Sequence, residues 1–321
     1  MWAVVQDEYG PPDVLEHRET ARPTVGAGEV LVRVHAAGAN PADWHLMRGD
    51  PYVMRLMSGF RAPKDGVRGL DVAGRVEAVG EDVTRFRPGD EVFGEAAGSF
   101  AEYARANEDK LAAKPDTLTF EQAAAVPVAG VTALQGLRDK GEIRAGQTVL
   151  VNGASGGVGT FAVQIAAWLG AEVTGVCSTR NVELVRSLGA DRVVDYTEAD
   201  FTRGGERYDC VFDLVGNHSL SALRRALAPD GTLVLCGGGG GRWIGPLGTT
   251  ARAALLSPFL GQRLRSFLAE TTDDDLAVLA DLLEDGTVTP VVDRTYPLRE
   301  TAEAIRYLEA GHARGKVVVT V

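Results

Sequence analysis

The densest chemistry in this sequence lies in Asn152-Gly153-Ala154-Ser155-Gly156-Gly157-Val158-Gly159. The run follows an apolar stretch, Thr148-Val149-Leu150-Val151, and opens a helical pattern from Phe161 to Leu169. A glycine-rich turn between strand and helix presents backbone N–H groups and the positive end of a helix, an arrangement that binds phosphate. Glycine at 156 and 157 lets backbone approach a pyrophosphate with no Cβ in the way, and Gly159 allows close packing of helix on strand. The spacing is G-x-x-G-x-x-G, with Ala154 where a glycine of the dinucleotide fingerprint is expected. Gly153, Ser155, Gly156, Gly157, Val158 and Gly159 are therefore expected to hold a dinucleotide.

Which dinucleotide is read at the end of the next strand, Glu172 to Val176. An NAD site carries an acidic residue there to bond the ribose hydroxyls. This chain has Cys177-Ser178-Thr179-Arg180-Asn181, with no carboxylate. A hydroxyl at Ser178 and a guanidinium at Arg180 suit a 2′-phosphate, so NADPH is the expected cofactor. The alternative for Arg180 is a solvated arginine at a helix start. Tyr196 follows the third strand and either covers the phosphate or adenine or simply packs. Val215-Gly216 and Cys236-Gly237 follow later strands, at the carboxyl edge where such sheets bind ligands.

These residues need a scaffold, and the pattern supplies one. From Gln147 strands alternate with helices through Val182–Leu188, Arg192–Val194, Asp209–Asp213 and Thr232–Leu235, which predicts a doubly wound parallel sheet. The first third is different: Glu29–His35, Val72–Gly80 and Glu91–Gly94 are short strands split by Gly/Pro turns, which suggests a small barrel-like β domain. Phe120 to Lys140 has helical spacing, as do Asp274–Glu284 and Thr301–Ala310. Lys316–Val321 is a strand with no local partner, so it is expected to return to the N-terminal β domain. The Gly237–Leu260 segment, with Trp243, Ile244, Leu247 and Phe259, is expected to roof an apolar substrate, or else to be core or a subunit interface. The predicted fold class is α/β, with domains at 1–121 plus 268–321 and at 122–267.

Composition narrows the function. The 321 residues suit two domains, and a net charge of −11 argues against nucleic acid as a partner. No apolar run reaches the ~18 residues of a membrane span, so no stable membrane insertion is expected. The acidic N-terminus does not read as a signal peptide. Cys177, Cys210 and Cys236 form no C-x-x-C pair, so neither disulfides nor a thiolate zinc site is indicated and a cytoplasmic setting is expected.

Beyond these readings, the chain resembles the medium-chain dehydrogenase/reductase superfamily on its quinone oxidoreductase and enone reductase branch. The resemblance runs through Gly28–Val34, Asn40-Pro41-Ala42-Asp43-Trp44, Gly69–Gly80, Phe86–Gly94, Gly98–Tyr103, Pro127–Leu134, Gly153–Gly159 and Gly315–Val318. The Asn-Pro-Ala-Asp-Trp run is similar to the chloroplast-envelope and mitochondrial quinone oxidoreductase-like proteins. The resemblance implies a GroES-like β domain interrupted by a Rossmann domain, with the active site in the cleft between them. Zinc-dependent members have a cysteine where Asn40 stands and Gly-His-Glu where this chain has Gly69-Leu70-Asp71. The four cysteines of the structural-zinc lobe are also missing, and the five histidines have no ligand spacing. No metal is therefore expected.

Without a metal to stabilise an alkoxide, the accessible chemistry is hydride addition to the β carbon of an alkene polarised by a carbonyl, or to a quinone. The protein's tasks are then orientation and support of the enolate oxygen. The resemblance nominates Asn40, as a donor to the carbonyl oxygen or the cofactor ribose or as a brace for its own loop. It nominates Tyr52 as a proton donor, although Tyr52 lies one residue later than in the family pattern. Thr132 is implied near the nicotinamide, Lys316 near the cleft, and a homodimer by analogy, with Leu264–Ala269 as an edge. Two other readings stay open: a polyketide-type tailoring enoyl reductase or cyclase, and a non-catalytic NADPH-binding sensor.

Overall fold

Strand β3 (Glu29–Ala39) shows how the first part of the chain is built. Val30, Val32 and Val34 are buried on one face, while on the other Arg33 is exposed and Leu31, beside a register shift against the neighbouring strand, is covered. The strand outruns its expected end at His35 because Ala36, Ala37, Gly38 and Ala39 are small enough for close neighbours. A Cβ on Gly38 would stand 2.3 Å from the Ala124 carbonyl oxygen. The computed structural model describes residues 1–64, 66–236 and 261–321. Gly237 and the expected substrate roof with Trp243, Ile244, Leu247 and Phe259 lie outside the described residues.

The strands run in chain order as β1 (Trp2–Gln6), β2 (Leu15–Glu19), β3, β4 (Asp71–Val79), β5 (Glu91–Glu95), β6 (Tyr103–Asn107) and β7 (Leu111–Ala113). Then come β8 (Thr148–Asn152), β9 (Glu172–Cys177), β10 (Arg192–Asp195), β11 (Tyr208–Asp213), β12 (Leu227–Leu235) and β13 (Arg263–Ser266). The last two are β14 (Val292–Pro297) and β15 (Lys316–Thr320). Two compact units result, Met1–Val131 with Thr271–Val321, and Thr132–Glu270.

In the first unit one sheet runs β14-β15-β3-β4-β5-β7, with β6 also on β3, and β1 pairs β2 separately. The C-terminal strand does return: Val317–Thr320 lie antiparallel to Ala36–Ala39. Val317 and Val319 join a core with Val32, Phe100, Leu111 and Ile305. Burying side chains of this size contributes ~1.5–3 kcal/mol each. Helix α1 (Pro41–Arg48) leaves β3 at Asn40, and α2 (Arg55–Ser58) follows.

The expected helical run from Phe120 to Lys140 divides into α3 (Phe120–Ala124), α4 (Pro127–Leu134) and a widened π turn, Gln135–Lys140. Pro127 lacks an N–H and so starts a helix rather than continuing one.

In the second unit the strand order is β10-β9-β8-β11-β12-β13, and every pairing is parallel. This is the doubly wound order that places ligands at the carboxyl ends of the strands. Helices α5 (Gly157–Trp168), α6 (Val182–Ser187) and α7 (Leu220–Arg225) make crossovers. Later in the chain, α8 (Asp273–Glu284) and α9 (Thr301–Glu309) belong to the first unit.

Candidate active site

Strand β8 delivers the glycine loop directly to the N-terminus of α5. Gly156 is the N-cap and no side chain caps the helix, so its first N–H groups are left for a ligand. Gly159 is demanded by the protein itself: a Cβ there would lie 2.0 Å from the Gly153 carbonyl oxygen. Gly156 is different. Its φ of −82° suits any residue, and the nearest atom to an added Cβ is Gly153 O at 3.4 Å. Nothing inside the chain requires glycine at 156, whereas a phosphate seated on the helix end does. That open cradle fits a pyrophosphate.

The end of β9 lies beside this loop. Ser178 is half-buried, and Thr179 and Arg180 are exposed in a short turn before α6. The buried Asn181 ties the two segments together: its Nδ2 donates to Ser155 Oγ at 2.9 Å and to Ser178 Oγ at 3.3 Å. Sequence reasoning passed over Asn181 because an asparagine before a helix reads as an ordinary cap. A carboxylate does stand nearby, on the next strand. Asp195 aligns with Cys177 across β9 and β10. Hydrogen bonds from Thr179 and Thr197 hold its carboxyl below the usual range. Tyr196 follows it and is exposed.

The carboxyl edge is organised by a buried carboxylate that the sequence reading treated only as a strand end. Asp213 Oδ1 accepts from Asn152 Nδ2 at 2.8 Å and from the N–H groups of Val215 and Gly216 at 3.2 and 3.1 Å. Asn152 also donates to Asn217 Oδ1 at 3.0 Å. This network links β8 to the loop after β11 and fixes Val215 and Gly216 at the strand ends. Burial pushes the Cys236 thiol, after β12, up to about 12, which keeps it neutral. Thr132 lies on α4 and is buried.

In the first unit the structure gathers Asn40, Asp71 and Lys316, contributed by the residue after β3, by β4 and by β15. Lys316 Nζ donates to Asn40 Oδ1 at 2.5 Å, to Asp71 Oδ2 at 3.0 Å and to Ala39 O at 3.2 Å. Asn40 Nδ2 donates to Asp71 Oδ2 at 2.9 Å, and Asp71 Oδ1 accepts from Val128 N–H at 2.9 Å, at the start of α4. The amide of Asn40 is thus held at both ends, the geometry of a brace. Lys316 and Asp71 are both buried, and their pairing offsets a desolvation cost that either charge alone would carry. Asp43 accepts from Asn40 N–H at 2.7 Å. Burial pushes its carboxyl up to about 7; the Asn40 N–H opposes this and the Asp71 charge adds to it. Tyr52 lies in a short turn at Tyr52–Met54, with the Arg55 guanidinium 4.7 Å from its ring centre.

Among the described residues, no group of three His, Cys, Asp or Glu side chains is placed to hold a metal. Four of the five histidines pack against aromatic rings: His35 stacks on Phe120 with centroids 4.3 Å apart, and His17, His45 and His218 lie against Trp2, Trp44 and Phe201.

A parallel sheet in this order, opened by a glycine loop and joined in one chain to a GroES-like β unit, defines a dinucleotide-binding dehydrogenase or reductase. The alcohol dehydrogenase GroES-like domain profile matches residues 26–116, and the zinc-binding dehydrogenase profile matches residues 188–319. A chloroplast envelope quinone oxidoreductase homolog of Arabidopsis thaliana is 32% identical, over 99% of this chain and 98% of its own. An Arabidopsis thaliana chloroplastic NADPH-dependent alkenal/one oxidoreductase is 34% identical, over 99% of this chain and 79% of its own. Escherichia coli quinone oxidoreductase, solved with NADPH, superposes over all of both chains with a TM-score of 0.86 and 27% identity. The chain belongs to the medium-chain dehydrogenase/reductase superfamily, on its quinone oxidoreductase branch.

Proposed function

We propose that the protein is an NADPH-dependent reductase of α,β-unsaturated carbonyl compounds or quinones that works without zinc. The observation that carries the zinc-free reading is the Lys316 ammonium seated on Asp71 and Asn40. At the positions that resemble the zinc-dependent members' Cys and Gly-His-Glu, this chain has Asn40 and Gly69-Leu70-Asp71: leucine offers no ligand, and the amide and carboxylate are already satisfied by an internal cation. A donor set of one carboxylate falls short of the three protein ligands of a catalytic zinc site.

When bound, the dinucleotide supplies a hydride. The protein's own part is to hold it. The N–H groups at the start of α5, with Ser155, Gly157 and Val158 of the loop, would hold the pyrophosphate. Ser178, Arg180 and Tyr196 would hold the 2′-phosphate. Thr132, Val215, Gly216, Cys236 and Gly237 complete the cofactor-binding set. Lys316, expected near the cleft with the cofactor-binding residues, acts by fixing Asn40. Asn40 braces the loop into α1, and Tyr52 donates the proton to the α carbon. The catalytic domain is the unit built on β3, and the nucleotide domain is the unit built on β8. No helix among the described residues is long and apolar enough to cross a membrane. The three cysteines are unpaired, which suits a reducing cytoplasm. The edge strand β13 supports a homodimer interface.

The test is consumption of NADPH or NADH, followed by nicotinamide absorbance, with an enone series and a quinone series. Turnover of either series with NADPH preferred supports the reading. Cofactor binding with no turnover of either series would move the assignment to a sensor or to a tailoring enzyme that takes a carrier-bound substrate.

A further inference from the structure

Asn181 occupies the N-cap of α6, yet its side chain does not cap that helix. An N-cap asparagine ordinarily accepts from the backbone N–H two or three residues on. Here the amide turns away, toward the glycine loop, and its Nδ2 donates to both Ser155 Oγ and Ser178 Oγ. The side chain is buried, and its Oδ1 has no hydrogen-bond partner among the described residues. Forgoing the cap and leaving a buried carbonyl unpaired both cost stability, the second by ~1–3 kcal/mol. A side chain in this position needs a reason other than the fold.

The direction of the two hydrogen bonds supplies one. A serine hydroxyl has one proton to give and lone pairs to receive. With Nδ2 donating to each oxygen, both serines have an acceptor position filled, and no protein acceptor among the described residues takes either hydroxyl proton. Both hydroxyls are set as donors, on two segments held together by one amide. A phosphate dianion takes both protons in charge-assisted hydrogen bonds, whereas a ribose hydroxyl accepts them only as a neutral group. We propose that Asn181 determines cofactor specificity: it polarises Ser155 and Ser178 into a paired donor site for the 2′-phosphate of NADPH and sets that site against NADH. The inference rests on the NADPH reading above.

Substituting Asn181 tests it. Asn181→Asp keeps the shape but presents only acceptors, so the serine protons turn toward the new carboxylate. Asn181→Ala removes the bridge and serves if the aspartate variant misfolds. Affinities are measured calorimetrically for 2′,5′-ADP, which carries the 2′-phosphate, and for 5′-ADP, which does not. Two charge-assisted hydrogen bonds are at stake, so 2′,5′-ADP should weaken by roughly 10- to 100-fold in either variant while 5′-ADP weakens far less. The kcat/KM ratio of NADPH to NADH should fall in parallel. Equal weakening of the two probes, or a ratio within about twofold of the parent, overturns the role of Asn181 and leaves the NADPH reading standing. A parent protein that binds 2′,5′-ADP no better than 5′-ADP overturns both.

Discussion

A buried carboxyl with a raised pKa has a thermodynamic consequence. Burial disfavours the Asp43 charge and pushes its carboxyl up to about 7 in the folded protein, against 3.8 for an unburied aspartate. Below the lower value both states are protonated, and its stabilising contribution is fully present. As pH rises from about 4 to about 7 the unfolded chain sheds the proton and the folded one keeps it, so stability falls and then levels off. The Asp43→Asn variant keeps the side-chain oxygen that accepts from Asn40 N–H but cannot titrate. Denaturant unfolding should show the parent losing up to ~4 kcal/mol more than the variant across that pH interval. Parallel pH profiles would show that Asp43 is ionised in the folded protein. Much of the residue-level chemistry was not legible in the sequence. Lys316 was expected near the cleft and Asn40 as a donor or as a brace for its own loop, but their direct bond joins positions 276 apart. No local pattern reports such a contact. Asn181 was hidden for the opposite reason, since its local context offered a sufficient explanation.

At the level of elements, the glycine loop separates what folding needs from what binding needs. Gly159→Ala would push a Cβ to 2.0 Å from Gly153 O and 2.8 Å from Ala154. Backbone cannot yield as a side-chain tip does, so ~1–3 kcal/mol of stability should be lost along with cofactor affinity. Gly156→Ala meets only Gly153 O at 3.4 Å. Its melting temperature should stay near the parent's, while the Kd for NADPH, read by nicotinamide fluorescence, rises about tenfold or more. A Gly156→Ala protein that binds NADPH like the parent would place the pyrophosphate elsewhere. The elements themselves were largely legible, because period-two and helical patterns mark β3, β8 and α5 directly in the residues. The break at Pro127 was missed because the apolar spacing continues across it from Ala124 to Val131. The β12 strand runs from Leu227, well before its expected start at Thr232, because Pro229-Asp230-Gly231 within it reads as a turn.

At the level of the whole molecule, the fold class followed from the switch of pattern near residue 120 and from a C-terminal strand with no local partner. That strand now lies between β14 and β3, with Val317, Val318 and Val319 fully buried. It also carries Lys316 to Asp71, so the strand that completes the β sheet also supplies the cation of the charged cluster. The central claim is hydride delivery to an activated carbon without a metal. Its most direct test is turnover of an enone with NADPH deuterated at the transferable C4 position, using protein dialysed against a chelator, with the product analysed by NMR. The account predicts full activity after dialysis and deuterium at the β carbon. Loss of activity restored by zinc, or deuterium on the carbonyl carbon, would contradict it.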